Sequence, residues 1–173
     1  MSAKQIPEYI DPFRYAEQAL QLSGVVNLAD MNRLQPMINP SKEWVVVELY
    51  FGIDEQGLTF LQGHLQARLG LQCQRCMEPY NYEIITDFVL GIVNTDDEAK
   101  DLPECYEPVL TKEGHLALRE LIEDEIILNL PTIPKHEIQD CKVVVPEVHS
   151  EEKIDQVDHP FHVLESLKRK QDK

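Results

Sequence analysis

The sequence predicts an α+β domain: a curved antiparallel sheet, barrel-like in outline, packed by one long helix and one or two short ones. Three observations lead there. Apolar and polar residues alternate through much of 44–93, the period of strands with one buried face. One long stretch, 116–130, changes to helical spacing. Turn-forming clusters at Asp54-Glu55-Gln56-Gly57 and Cys73-Gln74-Arg75-Cys76 separate the strand signals at hairpin distances, so an antiparallel meander is the economical arrangement.

Taken in order, Asp11 reads as an N-cap and Pro12 as the first helical position. Phe13, Ala16, Ala19 and Leu20 then recur at helical spacing and Gly24 ends the pattern, predicting a helix of about three turns. Residues 28–34 read as another short helical turn before Pro36. Residues 44–51, rich in β-branched and aromatic side chains, make the first arm of a hairpin whose second arm resumes at Leu58. That arm continues with Leu65, Ala67, Leu69, Leu71 and Cys73 on one face, and Gln62, His64, Gln66, Arg68, Gln72 and Gln74 on the other. Gly63 and Gly70 are expected to mark bulges or bends.

Beyond the cysteines, Tyr82, Ile84, Phe88, Leu90 and Ile92 predict a strand over 80–93 that folds back along its predecessor. An acidic loop over 94–104 leads to an edge strand at 106–110, where Pro108 limits pairing. In the long helix, Leu118, Leu121, Ile122, Glu125 and Ile126 surround a broad apolar face, and Pro131 is the stop. Glu123-Asp124-Glu125 is expected to be a solvated edge of that helix. Residues 1–135 thus form an α+β core, 136–159 an acidic flexible segment, and 160–173 a docked C-terminal helix with Phe161, Leu164 and Leu167 on one face and a basic end.

Charge narrows the classes of function. The net charge is −15, and the stretch 96–125 carries eleven acidic residues against three basic ones. A protein that held nucleic acid mainly by neutralising phosphates would be basic. Bulk charge therefore argues against an RNA-coating protein and favours a basic partner, such as a ribosomal protein or a nuclease. No charged leader with an apolar core opens the chain, and no apolar run is long enough for a bilayer, so the expectation is a cytoplasmic protein without membrane contact. In that compartment Cys73, Cys76, Cys105 and Cys141 are expected to be reduced or metal-bound.

A Cys-x-x-Cys turn points both sulfurs to one side. Spacing alone leaves two readings open: half of a tetrahedral zinc site, or a hairpin turn with two reduced thiols. No Ser/His/Asp or Cys/His catalytic order stands out, so the expectation is a protein that is not an enzyme. A metal-dependent ribonuclease would need Glu123, Asp124 and Glu125, which lie consecutively on one helix and cannot all face one site. A zinc-dependent binding module is the third alternative, and no small-molecule substrate is indicated.

Four ordered blocks carry a resemblance. They are Leu71-Gln72-Cys73-Gln74-Arg75-Cys76, Leu102-Pro103-Glu104-Cys105-Tyr106-Glu107-Pro108, Ile122-Glu123-Asp124-Glu125-Ile126-Ile127-Leu128 with Leu130-Pro131, and Pro160-Phe161 with Leu164 and Ser166-Leu167-Lys168-Arg169-Lys170. Together they resemble the bacterial YceD family, whose members are described as large ribosomal RNA subunit accumulation proteins. The resemblance implies a role in synthesis, processing or stability of 23S rRNA, with 23S rRNA or its precursor as partner, directly or through a ribosomal or RNA-processing protein. Some relatives carry further cysteines after the long helix, implying a four-ligand zinc site. This chain departs from that pattern, with Cys141 alone and His136 five positions before it. The expected cofactor is accordingly none, with zinc on Cys73, Cys76, His136 and Cys141 as the alternative. Within a binding role the candidate contacts are Gln74 and Arg75 on the turn and Lys168, Arg169 and Lys170 at the end.

Overall fold

The computed structural model describes residues 5–39 and 44–142. The predicted C-terminal helix, its basic residues Lys168, Arg169 and Lys170, and the 143–159 part of the expected 136–159 acidic segment lie outside the described residues. No helix among the described residues is long and apolar enough to cross a membrane.

The chain enters through β1 (Tyr9–Ile10) and α1 (Pro12–Glu17). Asp11 caps α1 as expected, its Oδ1 accepting a hydrogen bond from Arg14 N at 3.1 Å. The helix is shorter than its spacing suggests. Ala19 takes a left-handed φ of 48°, and Gln21–Asn27 forms β2. Gly24 therefore lies inside a strand, paired with Val47, because extended pairing of Leu22, Val25 and Val26 with the next strand outweighs local helical propensity. Two 3₁₀ turns, Leu28–Asp30 and Gln35–Met37, then bury Leu28, Met31 and Leu34.

The hairpin of β3 (Trp44–Ile53) and β4 (Thr59–Gln72) follows the alternation closely. Val45, Val47, Leu49 and Phe51 are buried opposite Ala67, Leu65, Gly63 and Leu61. Asp54 Oδ1 accepts from Gln56 N and Leu58 N to hold the turn, and Gly57 supplies its φ of 84°. β5 (Pro79–Val93) pairs antiparallel with β4 in one unbroken register from Phe60↔Gly91 to Gln72↔Pro79. The expected bulges are absent from this ladder. Gly63 is there because the Phe88 ring lies across it: a Cβ at this position would stand 2.1 Å from Phe88 Cζ.

After β5 a short helix, α2 (Asp96–Lys100), interrupts what reads as an acidic loop, capped by Thr95. β6 (Glu107–Leu110) then joins the sheet parallel to β5. The strand order is β2-β3-β4-β5-β6. This corrects the expected curved, barrel-like antiparallel sheet: it is open, not curled into a barrel, and its last pair is parallel. Closure requires the two edge strands to meet. β6 is only four residues long, carries Pro108 without a donor, and terminates one side, while β2 terminates the other.

β7 (Leu116–Ala117) pairs with β1 and runs directly into α3 (Leu118–Leu128). Leu118, Leu121, Ile122 and Ile126 join the buried strand residues in one core. The Glu123-Asp124-Glu125 triplet is not a solvated edge. Glu123 is 5% and Glu125 8% exposed, and only Asp124 faces solvent.

Two consequences position the functional features. Pairing of β3 with β4 stops at Val45↔Ala67, whereas β4 and β5 continue to Gln72↔Pro79. The far part of this pair is an arm, braced by Asn39 N donating to Gly70 O at 2.7 Å, with the cysteine turn at its tip. At the opposite end of β5, β6 and α3 flank a groove.

Candidate metal centre at the hairpin tip

The turn at the tip is fixed by its own backbone. Cys73 N donates to Glu78 O at 3.0 Å, Met77 N donates to Cys73 O at 2.8 Å, and Met77 adopts the left-handed φ of 62° that closes the turn. Cys73 is the last buried residue of the alternating β4 face, so its sulfur points inward, with Cys76 beside it.

The remaining donors come from far along the chain. Gln74 N donates to Pro134 O at 2.8 Å and Lys142 pairs with Glu78 at 3.1 Å, laying the segment 134–142 against the turn. His136 and Cys141, on either side of the short 3₁₀ turn Ile138–Asp140, thereby reach the cysteines. The Sγ atoms of Cys73, Cys76 and Cys141 and a ring nitrogen of His136 lie within 4.8 Å of one another. His136 Nδ1 is 3.3 Å from Cys76 Sγ. Ligands of a tetrahedral zinc with bonds of about 2.0–2.3 Å stand roughly 3.5–3.8 Å apart, so a small contraction of the cluster closes a Cys3His site.

The electrostatics favour thiolate at one position. Burial opposes ionisation of Cys73, but backbone N–H groups of Cys76, His136 and Arg75 outweigh it and bring the thiol down to about 5. For Cys76 the backbone at Glu78 favours the thiolate, yet burial and the sulfurs of Cys73 and Cys141 prevail and push it up. Three sulfurs this close resist joint ionisation without a cation among them. Arg75 supplies part of that charge. Its Nε donates to Cys141 Sγ at 2.9 Å and its Nη2 to His136 O at 3.1 Å, and the bond to Cys141 is the largest cause of its raised pKa. The donor set and its convergence fit a metal ion held by Cys73, Cys76, His136 and Cys141. Gln74 is exposed at the tip, Arg75 is turned into the cluster, and Cys105 lies apart on the surface as a free thiol.

The cluster sits inside the part of the chain that matches known proteins. A model of the family described as large ribosomal RNA subunit accumulation protein YceD matches residues 61–168. The chain belongs to the YceD family. It is also similar to a large ribosomal RNA subunit accumulation protein YceD from Haemophilus influenzae, at 35% identity over 98% of this chain and 100% of that one. No solved structure matches it significantly. Within the matched YceD region fall both the Cys3His cluster and the α3 carboxylates, and these carboxylates differ in how they are held.

Glu123 Oε1 accepts from Arg33 N at 2.7 Å and Leu34 N at 3.0 Å, its Oε2 accepts from the Arg33 guanidinium, and that guanidinium also pairs with Asp124. Sequence reasoning missed Arg33 because it lies ninety positions from Glu123, with no local signal. Glu125 is different. Its place between Ile122 and Ile126 on the apolar face was a legible sign of burial.

Proposed function

We propose that this protein is a non-catalytic factor supporting the synthesis, processing or stability of 23S rRNA, and thereby large-subunit biogenesis, through binding rRNA or a basic ribosome-associated protein. The observation that carries this reading is end-to-end similarity to a large ribosomal RNA subunit accumulation protein. The net charge of −15 supports a basic protein partner over phosphate neutralisation, and the reading implies a cytoplasmic location. The arrangement of α3 supports it further: Glu123 and Asp124 are engaged by Arg33, and among the described residues the α3 carboxylates do not converge as metal donors, so they do not form the paired carboxylates that a metal-dependent nuclease needs.

Within this function the Cys3His cluster holds zinc as a structural tie. Four protein donors leave no open coordination position, which is the mark of a structural site. The metal would balance the thiolates and fasten 134–142 to the hairpin tip. Gln74, exposed at that tip, and Lys168, Arg169 and Lys170 are the proposed contact residues, while Arg75, whose guanidinium is held by Cys141 and His136, serves the contact by supporting the turn.

Crosslinking the tagged protein in cells, purifying it under denaturing conditions and sequencing the attached RNA tests the mode of action. Reads clustered on 23S rRNA or its precursor are expected for direct contact, and should decline when Gln74, Lys168, Arg169 and Lys170 are replaced by Glu. Background recovery, with 23S rRNA still reduced in cells lacking the protein, assigns the effect to a protein partner. Unchanged 23S rRNA in such cells would overturn the function. Magnesium-dependent cleavage of precursor by pure protein, lost in Glu125→Gln, would replace it with the nuclease.

A further inference from the structure

The groove between β6 and α3 has a volume of about 1020 Å³. Its floor includes the buried Leu90 and Leu121, and its apolar walls include the exposed Leu110, Leu128 and Tyr9. Glu125, 8% exposed, also lines it. Among the described residues its side chain has no hydrogen-bond or ion-pair partner, although its helix neighbours Glu123 and Asp124 are both held by Arg33. Glu107, Glu113, Glu120 and Asp124 add acidic groups to the same lining, against Lys112, which pairs with Glu120 at 3.5 Å. A buried carboxylate without a donor costs stability, and in native proteins such a group is the usual mark of a missing partner.

We infer that this groove is a docking site for a peptide segment of a basic protein partner, one that places a Lys or Arg head group on Glu125 and apolar side chains against Leu110 and Leu128. The inference rests on the reading that the protein works through a basic partner, and names the surface that receives it. Long basic side chains suit such a groove, because their aliphatic stems cover apolar wall while the charge reaches a carboxylate. A bound metal ion does not suit it. The cysteine cluster is the one group of metal-donor side chains that converges among the described residues, whereas the carboxylates here are spread along the lining. RNA is disfavoured by the same negative field. Addition of a strand to β6 is limited by Pro108, so side-chain insertion is the expected mode of recognition.

The test uses fluorescently labelled short peptides in which Lys or Arg alternates with Leu and Val, read by anisotropy against the full-length protein at low salt. The controls are peptides with Glu in place of the basic residues, peptides with Ser in place of the apolar ones, and a peptide copying residues 160–173. The basic–apolar set is expected to bind, with at least about tenfold weaker binding to Glu125→Gln and several-fold weaker binding to Leu128→Ser, both variants still melting in a single cooperative transition. Leu128 is 73% exposed, so its substitution leaves the fold intact.

Several results would overturn the inference: no binding by the wild type, equal binding by Glu125→Gln, equal binding of the basic–Ser peptides, or binding of the 160–173 peptide alone, which would make the chain's own end the occupant. Because binding is read on pure protein, its loss leaves the role in 23S rRNA standing. Unchanged 23S rRNA in cells lacking the protein removes that role without touching the binding result.

Discussion

At the hairpin tip three thiols and an imidazole crowd within 4.8 Å, whereas near the other end of β5, roughly 35 Å away at the rise of a strand, five carboxylates line a groove without converging. Both regions gather groups that repel one another when ionised. At the tip, backbone N–H groups and Arg75 surround the sulfurs, and the donors aim at one point that a single cation can fill. In the groove the negative charges are spread over apolar walls, and Glu125 has no such support. Convergence suits a metal ion; dispersion over an apolar surface suits a basic side chain with an aliphatic stem.

The largest expected effect is at the tip. Cys73→Ser should abolish near-stoichiometric zinc in freshly purified protein, measured by elemental analysis. Amide exchange of 134–141 should accelerate by at least about tenfold, since metal binding is there coupled to local order. Metal-free wild-type protein with the same protection would reduce the cluster to a hydrogen-bonded turn and break the comparison.

Next in size is a contrast within one helix. Glu123→Ala leaves the N–H groups of Arg33 and Leu34 without their acceptor and should destabilise the fold by about 2–3 kcal/mol in chemical denaturation. Glu125→Gln, two residues on, should leave stability unchanged or raise it, because it removes a buried charge that nothing compensates. Equal losses from both variants would mean that Glu125 is structural, contrary to its place in the groove.

The smallest effect is in pH. Burial, with Glu107 and Asp124 nearby, raises the Glu125 carboxyl above its ordinary value of 4.5, and Glu113, Glu120 and Lys112 also line its groove. A raised carboxyl favours folding fully below the unfolded value and loses that advantage as pH rises through the folded one. The stability of wild type relative to Glu125→Gln should therefore be highest in acid and fall as pH climbs from 4.5 toward neutrality, read from melting temperatures across that range. A flat difference would place the Glu125 carboxylate in solvent.

Much of this was legible in the residues, and the misses have particular causes. The alternation from Val45 to Ile92 identified the buried face of three strands, and the Cys-x-x-Cys spacing marked a turn with both sulfurs available. The N-terminal helix was overestimated because Ala19 and Leu20 keep helical spacing while Leu22 to Val26 are claimed by β3. Glu123 was placed at a solvated edge because its partner Arg33 cannot be found from local pattern.

By itself the sequence determined which strand residues turn inward, where the central hairpins reverse, and which family the chain belongs to, since these depend on local periodicity, turn chemistry and ordered blocks of side chains. Tertiary structure alone decided that β6 lies parallel at an open edge, that His136 and Cys141 meet Cys73 and Cys76 across sixty or more positions, and that Glu125 lines a groove while Glu123 is held by Arg33. Periodicity specifies the buried face of a segment but carries no information about which distant segment covers it. That choice is made by packing, pairing and charge once the chain is compact.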